Sequence, residues 1–150
     1  MQNDCTNIYQ NARKVAGLTQ ERAAELLEIS PHSLSDYETG VRVPPIDVAD
    51  QMVTVYNSQL LAVRHLRNCA QMARDLLPDV EEMNLPEAVI TLVEAIHDFV
   101  ANGLDHELLR IARDGVISED ERDRFNHAVN ELRDITAAAI SLASMPRFDG

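Results

Sequence analysis

Two helix starts and one firm helix stop fall within Leu18–Gly40, LTQERAAELLEISPHSLSDYETG, and this constrains the fold more than any other stretch. Thr19 is an N-cap residue type whose hydroxyl can accept an otherwise unpaired first-turn N–H. Leu18, just before it, can close over Ala23 as a hydrophobic staple. The same arrangement then repeats, with Ser30 as cap, Ile29 able to staple onto Leu34, and Pro31 at the first helical position, where no N–H is needed. Gly40 supplies the stop, because glycine takes the left-handed conformation of a helix end without steric cost. Ala23 and Ala24 allow close approach, and Leu27, Ile29, Leu34 and Tyr37 can bury the seam. Two capped helices separated by about three residues form a helix-turn-helix. His32, Ser33, Ser35 and Asp36 are left on the outer face of the second helix.

Elsewhere helical periodicity recurs, β-branched alternation is absent, and Gly and Pro are sparse, so the expected class is all-α. An apolar fraction of 45% over 150 residues supports a packed core, while no window reaches the ~18 apolar residues of a membrane span. The N-terminus lacks the layout of a signal peptide, which predicts a cytoplasmic protein with no membrane contact. Cys5 and Cys69 match no metal or redox spacing. His65, His97, His106 and His127 have no second ligand at a convincing helical spacing. Asp114–Ser118 with Glu121 resembles the second half of a calcium loop, yet Arg110 and Ala112 occupy ligand positions and cannot coordinate the ion. No nucleophile motif or phosphate-cradling glycine loop is present. The expectation is therefore no metal, no cofactor and no enzymatic activity.

Residues 8–57 resemble the phage-repressor-like, XRE-family helix-turn-helix DNA-binding domain. The resemblance is carried by ArgLys at 13–14, GlyLeuThrGln at 17–20, IleSerPro at 29–31, and SerAspTyrGluThrGly at 35–40 followed by Arg42 and Pro44. It implies a four- to five-helix domain that places the helix beginning at Pro31 in the major groove. Matching positions give the docking face as Thr19, Gln20, Pro31, His32, Ser33, Ser35, Asp36 and Arg42. The family's glutamine at the Gln20 position clamps a backbone phosphate. Arg13 is open to two readings, a phosphate contact or the family's structural ion pair with Glu38. His32 could donate to guanine, and Asp36 could accept from cytosine N4 or instead repel phosphate. None of these residues is the usual Arg, Asn or Gln base reader, so specificity would lean on DNA shape. At Glu28 the chain departs from the family's frequent glycine, which leaves a non-Gly residue to take the turn.

Charge sits awkwardly with nucleic acid. Residues 1–57 hold four cations, Arg13, Lys14, Arg22 and Arg42, against eight carboxylates, and the chain's net charge is −12. Phosphate contact favours a basic face, so the expected solution is a homodimer on a palindromic operator, doubling the few contacts. The domain division expected is 1–57 for DNA binding and 58–150 for oligomerisation or regulation.

Within the first part, a helix from Thr6 to Ala16 precedes the motif and another from Ile46 to Tyr56 follows it. Asn57–Ser58 then marks either a short break or a continuous run into the next helix. Leu61, Leu66, Cys69, Met72, Ala73 and Leu76 form one helix face ending at Pro78, and Pro86 opens another helix with Val89, Leu92, Val93, Ile96 and Val100. A short helix over 105–113 and a Ser118–Glu121 capping box lead into the last helix. There Phe125, Leu132, Ile135 and Leu142 belong to a heptad seam that serves either the chain's own packing or a second chain. The functional expectation is a sequence-specific transcriptional regulator, a repressor. The alternative is a helical adaptor, antagonist or antitoxin that binds another protein through residues 58–145.

Overall fold

A computed structural model describes residues 8–146. Thr6 as a cap, Cys5, and the tail beyond residue 146 lie outside the described residues. Among the described residues the chain is all-α, and no helix is long and apolar enough to cross a membrane. The chain divides into two compact units, one running up to Asp79 and the other over Val80–Ala143.

The first unit contains α1 (Ile8–Val15), α2 (Gln20–Leu26), α3 (Pro31–Glu38), α4 (Ile46–Val55), α5 (Gln59–Cys69) and α6 (Gln71–Leu76). The expected caps form. Thr19 Oγ1 accepts from the Arg22 N–H at 3.2 Å, and Ser30 Oγ accepts from the Ser33 N–H at 3.0 Å. Between them Glu28 sits at φ +55°, where the family's glycine would. The core of this unit gathers Tyr9, Ala23, Ala24, Leu27, Leu34, Tyr37, Met52, Val53, Tyr56 and Leu61, with Leu18 and Ile29 packed at its edge.

Helices α4 and α5 are separate. Asn57 turns left-handed at φ +50°, and Ser58 caps α5 by accepting from the Leu61 N–H at 3.3 Å. The compact unit nevertheless does not stop at residue 57. α5 buries Leu60, Leu61 and His65, and the Tyr9 hydroxyl of α1 meets His65 Nδ1 at 2.8 Å. Burial of these α5 residues carries the unit past the break at Asn57–Ser58, and α6, which buries no residue of its own, follows within the same unit.

The single helix expected to end at Pro78 is instead two. Ala70 is extended, at φ −139° and ψ 130°, and Met72 and Leu76 are left 80% and 81% exposed. The Arg74 guanidinium accounts for the interruption, donating to the carbonyls of Arg67 and Asn68 at 3.0 and 3.4 Å. Those α5 terminal carbonyls then need no further turn of helix. Arg67 in turn bonds the Leu77 carbonyl.

The second unit contains α7 (Leu85–Ala101), α8 (Leu104–Ile111) and α9 (Glu119–Ala143). Asn84 and Glu87 form a complete capping box, and Leu85–Pro86 fill the first turn of α7. Gly103, at φ +71°, reverses the chain into α8. The core is small: Phe99, Leu104 and Ala128, with Leu108 and Ile135 packed against it. Glu121 reaches back to the Ser118 N–H and hydroxyl at 3.2 and 2.8 Å at the start of α9. Asp114 closes a turn by accepting from the Val116 N–H at 3.1 Å, and among the described residues no group of three or more metal-type ligands occurs.

The seam foreseen on α9 is divided. Ile135 is held in the unit's own core, Phe125 and Leu142 are half-buried, and Leu132 stays 38% exposed.

Candidate nucleic-acid interface

Arg13, on α1, and Glu38, at the end of α3, make the pair that sets the domain's geometry. Arg13 Nε and Nη2 donate to the two Glu38 oxygens at 2.5 and 3.0 Å, and Nη1 donates to the Leu18 carbonyl at 2.8 Å. Both residues are buried. The Glu38 carboxylate holds the Arg13 guanidinium above its ordinary pKa, its hydrogen bond outweighing the cost of burial. Between the two readings of Arg13, the geometry gives the structural pair, because its donors are spent inside the domain.

The Gln20 side chain, which the resemblance gives to a backbone phosphate, has an internal partner here. Its amide nitrogen donates to Glu38 Oε2 at 3.1 Å, so α1, α2 and α3 meet at one carboxylate. A buried carboxylate recruits every donor within reach, since an unpaired acceptor there is costly. What Gln20 still offers outward is its backbone N–H, which at the first position of α2 has no acceptor within the helix. Thr19 is exposed beside it. The nearby Tyr56 hydroxyl is buried without a hydrogen-bond partner, and burial pushes its pKa up, with the Glu38 charge adding to the shift.

The outer side of α3 is open. Pro31 and His32 are exposed, and the His32 side chain is 88% accessible. Ser33 is half-buried; it accepts the Ser30 hydroxyl at 2.9 Å and keeps its own O–H to donate. Ser35 is half-buried one turn on. Asp36 lies 3.9 Å from His32 Nε2 and 4.0 Å from Arg42 Nη1. With the Arg42 charge beside it, it presents less net repulsion to an approaching anion than a bare carboxylate would.

Arg42 is better prepared than its sequence position suggested. Its guanidinium stacks 5.4 Å from the Tyr37 ring centroid, and Nη2 donates to the Tyr37 hydroxyl at 3.2 Å. The Arg42 N–H also bonds the Asp36 carbonyl at 3.2 Å, tying the Gly40 turn back to α3. Ring, hydroxyl and carboxylate hold a long side chain that would otherwise lose rotamer freedom on binding. Tyr37 therefore positions the Arg42 side chain as well as filling the core, which was the one role that sequence reasoning assigned to it. The signal was the five-residue reach from Tyr37 to Arg42 across a glycine turn.

Thr19, Pro31, His32, Ser33, Ser35, Asp36 and Arg42 thus lie on or beside α3 and the start of α2, while Gln20 turns its side chain inward. A helix-turn-helix domain family matches the chain over residues 10–66. The HTH-type transcriptional regulator ImmR of Bacillus subtilis (strain 168) is 28% identical over 109 residues, covering 73% of this chain and 75% of that protein. No solved structure matches. Residues 10–66 of this chain are a helix-turn-helix domain.

Proposed function

We propose that the protein is a cytoplasmic, sequence-specific transcriptional regulator, a repressor, that binds double-stranded DNA with α3 in the major groove. The observation that carries this is the open N-terminal half of α3, with His32 exposed and Arg42 braced on Tyr37 at its border. The relative named a transcriptional regulator supports the same reading. The N-termini of α2 and α3 offer unpaired backbone N–H groups to phosphate. His32 and Ser33 reach base edges, and Arg42 takes a flanking phosphate.

One domain of this composition makes few phosphate contacts, so the working form is a homodimer on a palindromic operator. Its two α3 helices enter major grooves ~34 Å apart. Coupling the halves raises affinity by converting the second docking into an intramolecular event. No catalytic step belongs to this role.

The test is anisotropy titration of operator fragments selected from genomic DNA with the full chain. His32→Ala combined with Arg42→Ala leaves the Arg13–Glu38–Gln20 network intact. The double change is expected to weaken binding by about tenfold or more, with Arg42→Ala alone lowering the salt slope by ~1 for each domain docked. Undiminished affinity in the double variant would refute the docking face.

A further inference from the structure

On α5 the exposed Cys69 stands one turn after the buried His65, with its Sγ 3.4 Å from His65 Nε2. The other ring nitrogen, Nδ1, meets the Tyr9 hydroxyl of α1 at 2.8 Å. Arg74 adds a cation at this end of α5, donating to the carbonyls of Arg67 and Asn68, the two residues just before Cys69. It offsets the partial negative charge of the helix end. A solvent-open thiol beside an imidazole and close to a guanidinium is the setting in which sulfur becomes reactive.

Helix direction supplies a second observation. Tyr9, near the start of α1, meets His65 in the second half of α5, whereas Arg13, a turn later on α1, lies near Tyr56, just ahead of α5. α1 and α5 therefore run antiparallel, and the start of α1 lies at the end of α5 that carries Cys69. The chain's other cysteine, Cys5, precedes Tyr9 by four residues, just as Cys69 follows His65 by four. Four residues reach at most ~14 Å, and a disulfide needs Cα atoms ~4.4–6.8 Å apart. Two thiols that show no redox spacing in the sequence are thus brought within range of each other by the fold.

We propose that Cys69 is a peroxide-reactive thiol that pairs with Cys5 in a reversible disulfide, locking the start of α1 onto α5. The Tyr9 O–H donates to Nδ1, so the neutral His65 ring carries its proton on Nε2 and donates toward the Cys69 sulfur, supporting the thiolate. The thiol proton passes to solvent. The thiolate attacks one oxygen of hydrogen peroxide; an S–O bond forms, the O–O bond breaks, and the leaving hydroxide takes a proton to become water. The Cys5 thiolate then attacks the Cys69 sulfur; the S–S bond forms, the S–O bond breaks, and a second water leaves. Two thiols and one peroxide give one disulfide and two waters, the sulfurs losing the two electrons that the peroxide oxygens gain. A reducing dithiol restores both thiols by exchange, and in a cytoplasmic protein such a bond is transient, as suits a sensor. Arg13 lies on the helix so tied, and the lock acts on the element that holds Glu38 and the end of α3. The site stands whether or not α3 meets DNA.

The experiment exposes the reduced full chain to equimolar hydrogen peroxide and follows it by alkylation, intact mass and non-reducing peptide mapping. Wild type should lose about 2 Da, show the Cys5 and Cys69 peptides joined, and regain both thiols in dithiothreitol. Pairing should be at least about tenfold faster than in the same chain unfolded in urea, because folding has already closed the loop between them. Cys5→Ser should stop at a sulfenic acid on Cys69, captured by a cyclic diketone. Cys69→Ser should slow peroxide consumption by at least about tenfold. Oxidised wild type should also unfold at higher urea in tyrosine emission, since the link constrains residues 5–69 in the unfolded chain.

The urea comparison and the midpoint are both read on wild type, so they hold even if a serine variant fails to fold. Linkage only between two chains, pairing no faster than in urea, diketone capture on Cys5 in place of Cys69, or an unchanged midpoint after linkage would each overturn the proposal.

Discussion

The two units belong to one structural class but are held together differently. The first is assembled from short helices of 6 to 11 residues, which are marginal alone and depend on caps, a dense core and one buried ion pair. The second uses helices of 17 and 25 residues that enclose a few large side chains and leave an apolar face outward. Charge divides along the same line. Through Asp79 the chain has seven cations and ten carboxylates, whereas Val80–Ala143 has five and fourteen. The first unit, the one proposed to approach phosphate, is thus the less acidic of the two, in the direction that phosphate contact favours.

The chain offers a means of testing this contrast. All three tyrosines, Tyr9, Tyr37 and Tyr56, lie in the first unit, and there is no tryptophan. Tyrosine emission therefore reports the first unit, and far-ultraviolet circular dichroism reports both. The largest effect is expected for Arg13→Ala, which leaves Glu38 buried without its counter-charge and costs ~3–5 kcal/mol. Tyrosine emission should change at much lower urea, with most of the dichroism retained. If both signals shift together, the two units do not unfold separately and the contrast fails.

Phe99→Ala tests the other side. Truncating the largest side chain in the small core should cost ~3–4 kcal/mol, lowering the dichroism transition while tyrosine emission keeps its midpoint. A tyrosine transition that moves equally would show that the second unit's core supports the first.

How far this contrast was readable in the sequence differs between the units for a physical reason. Caps, staples and the glycine stop act over three or four residues, so Thr19, Ser30 and Gly40 announced α2 and α3 directly. The Arg13–Glu38 pair followed from the family resemblance rather than from spacing. What escaped was anything settled by tertiary partners. The break at Ala70 depends on Arg74 folding back onto carbonyls of α5, and the inward turn of Gln20 depends on Glu38 arriving from another helix. In the second unit, α7 and α9 both carry apolar stripes at three- and four-residue intervals. Periodicity shows that a face is apolar; only packing shows which stripe is spent internally.

A smaller effect should follow pH. Burial lowers the His65 pKa below its ordinary value of 6.5. Its neutral form is thus favoured in the folded unit, and the unfolded chain binds the proton more readily. Stability from this site is full above about pH 6.5 and declines as pH falls from there through the lower folded-state pKa. Urea midpoints read by tyrosine emission should fall over that window in wild type. In His65→Gln, which keeps an acceptor for Tyr9, that part of the slope should vanish. An unchanged slope would remove His65 as its source.

The smallest effect concerns the turn between α2 and α3, and it is the one substitution expected to stabilise. Glu28 is exposed and held at φ +55°, where a side chain crowds the backbone at a cost of ~1–2 kcal/mol that glycine escapes. Glycine also gives the unfolded chain more freedom, which takes back ~0.5–1 kcal/mol. Glu28→Gly should therefore raise the stability of the first unit by ~0.5–1 kcal/mol. That would appear as a higher urea midpoint in tyrosine emission with an unchanged m value. Asn57, at φ +50°, supplies the control, because asparagine tolerates this conformation and Asn57→Gly should gain less. The second unit's dichroism transition should not respond to either change. A lower midpoint for Glu28→Gly would mean that the Glu28 side chain stabilises the turn by more than its strain costs, and the short-helix unit would then hold its geometry by a contact rather than against one.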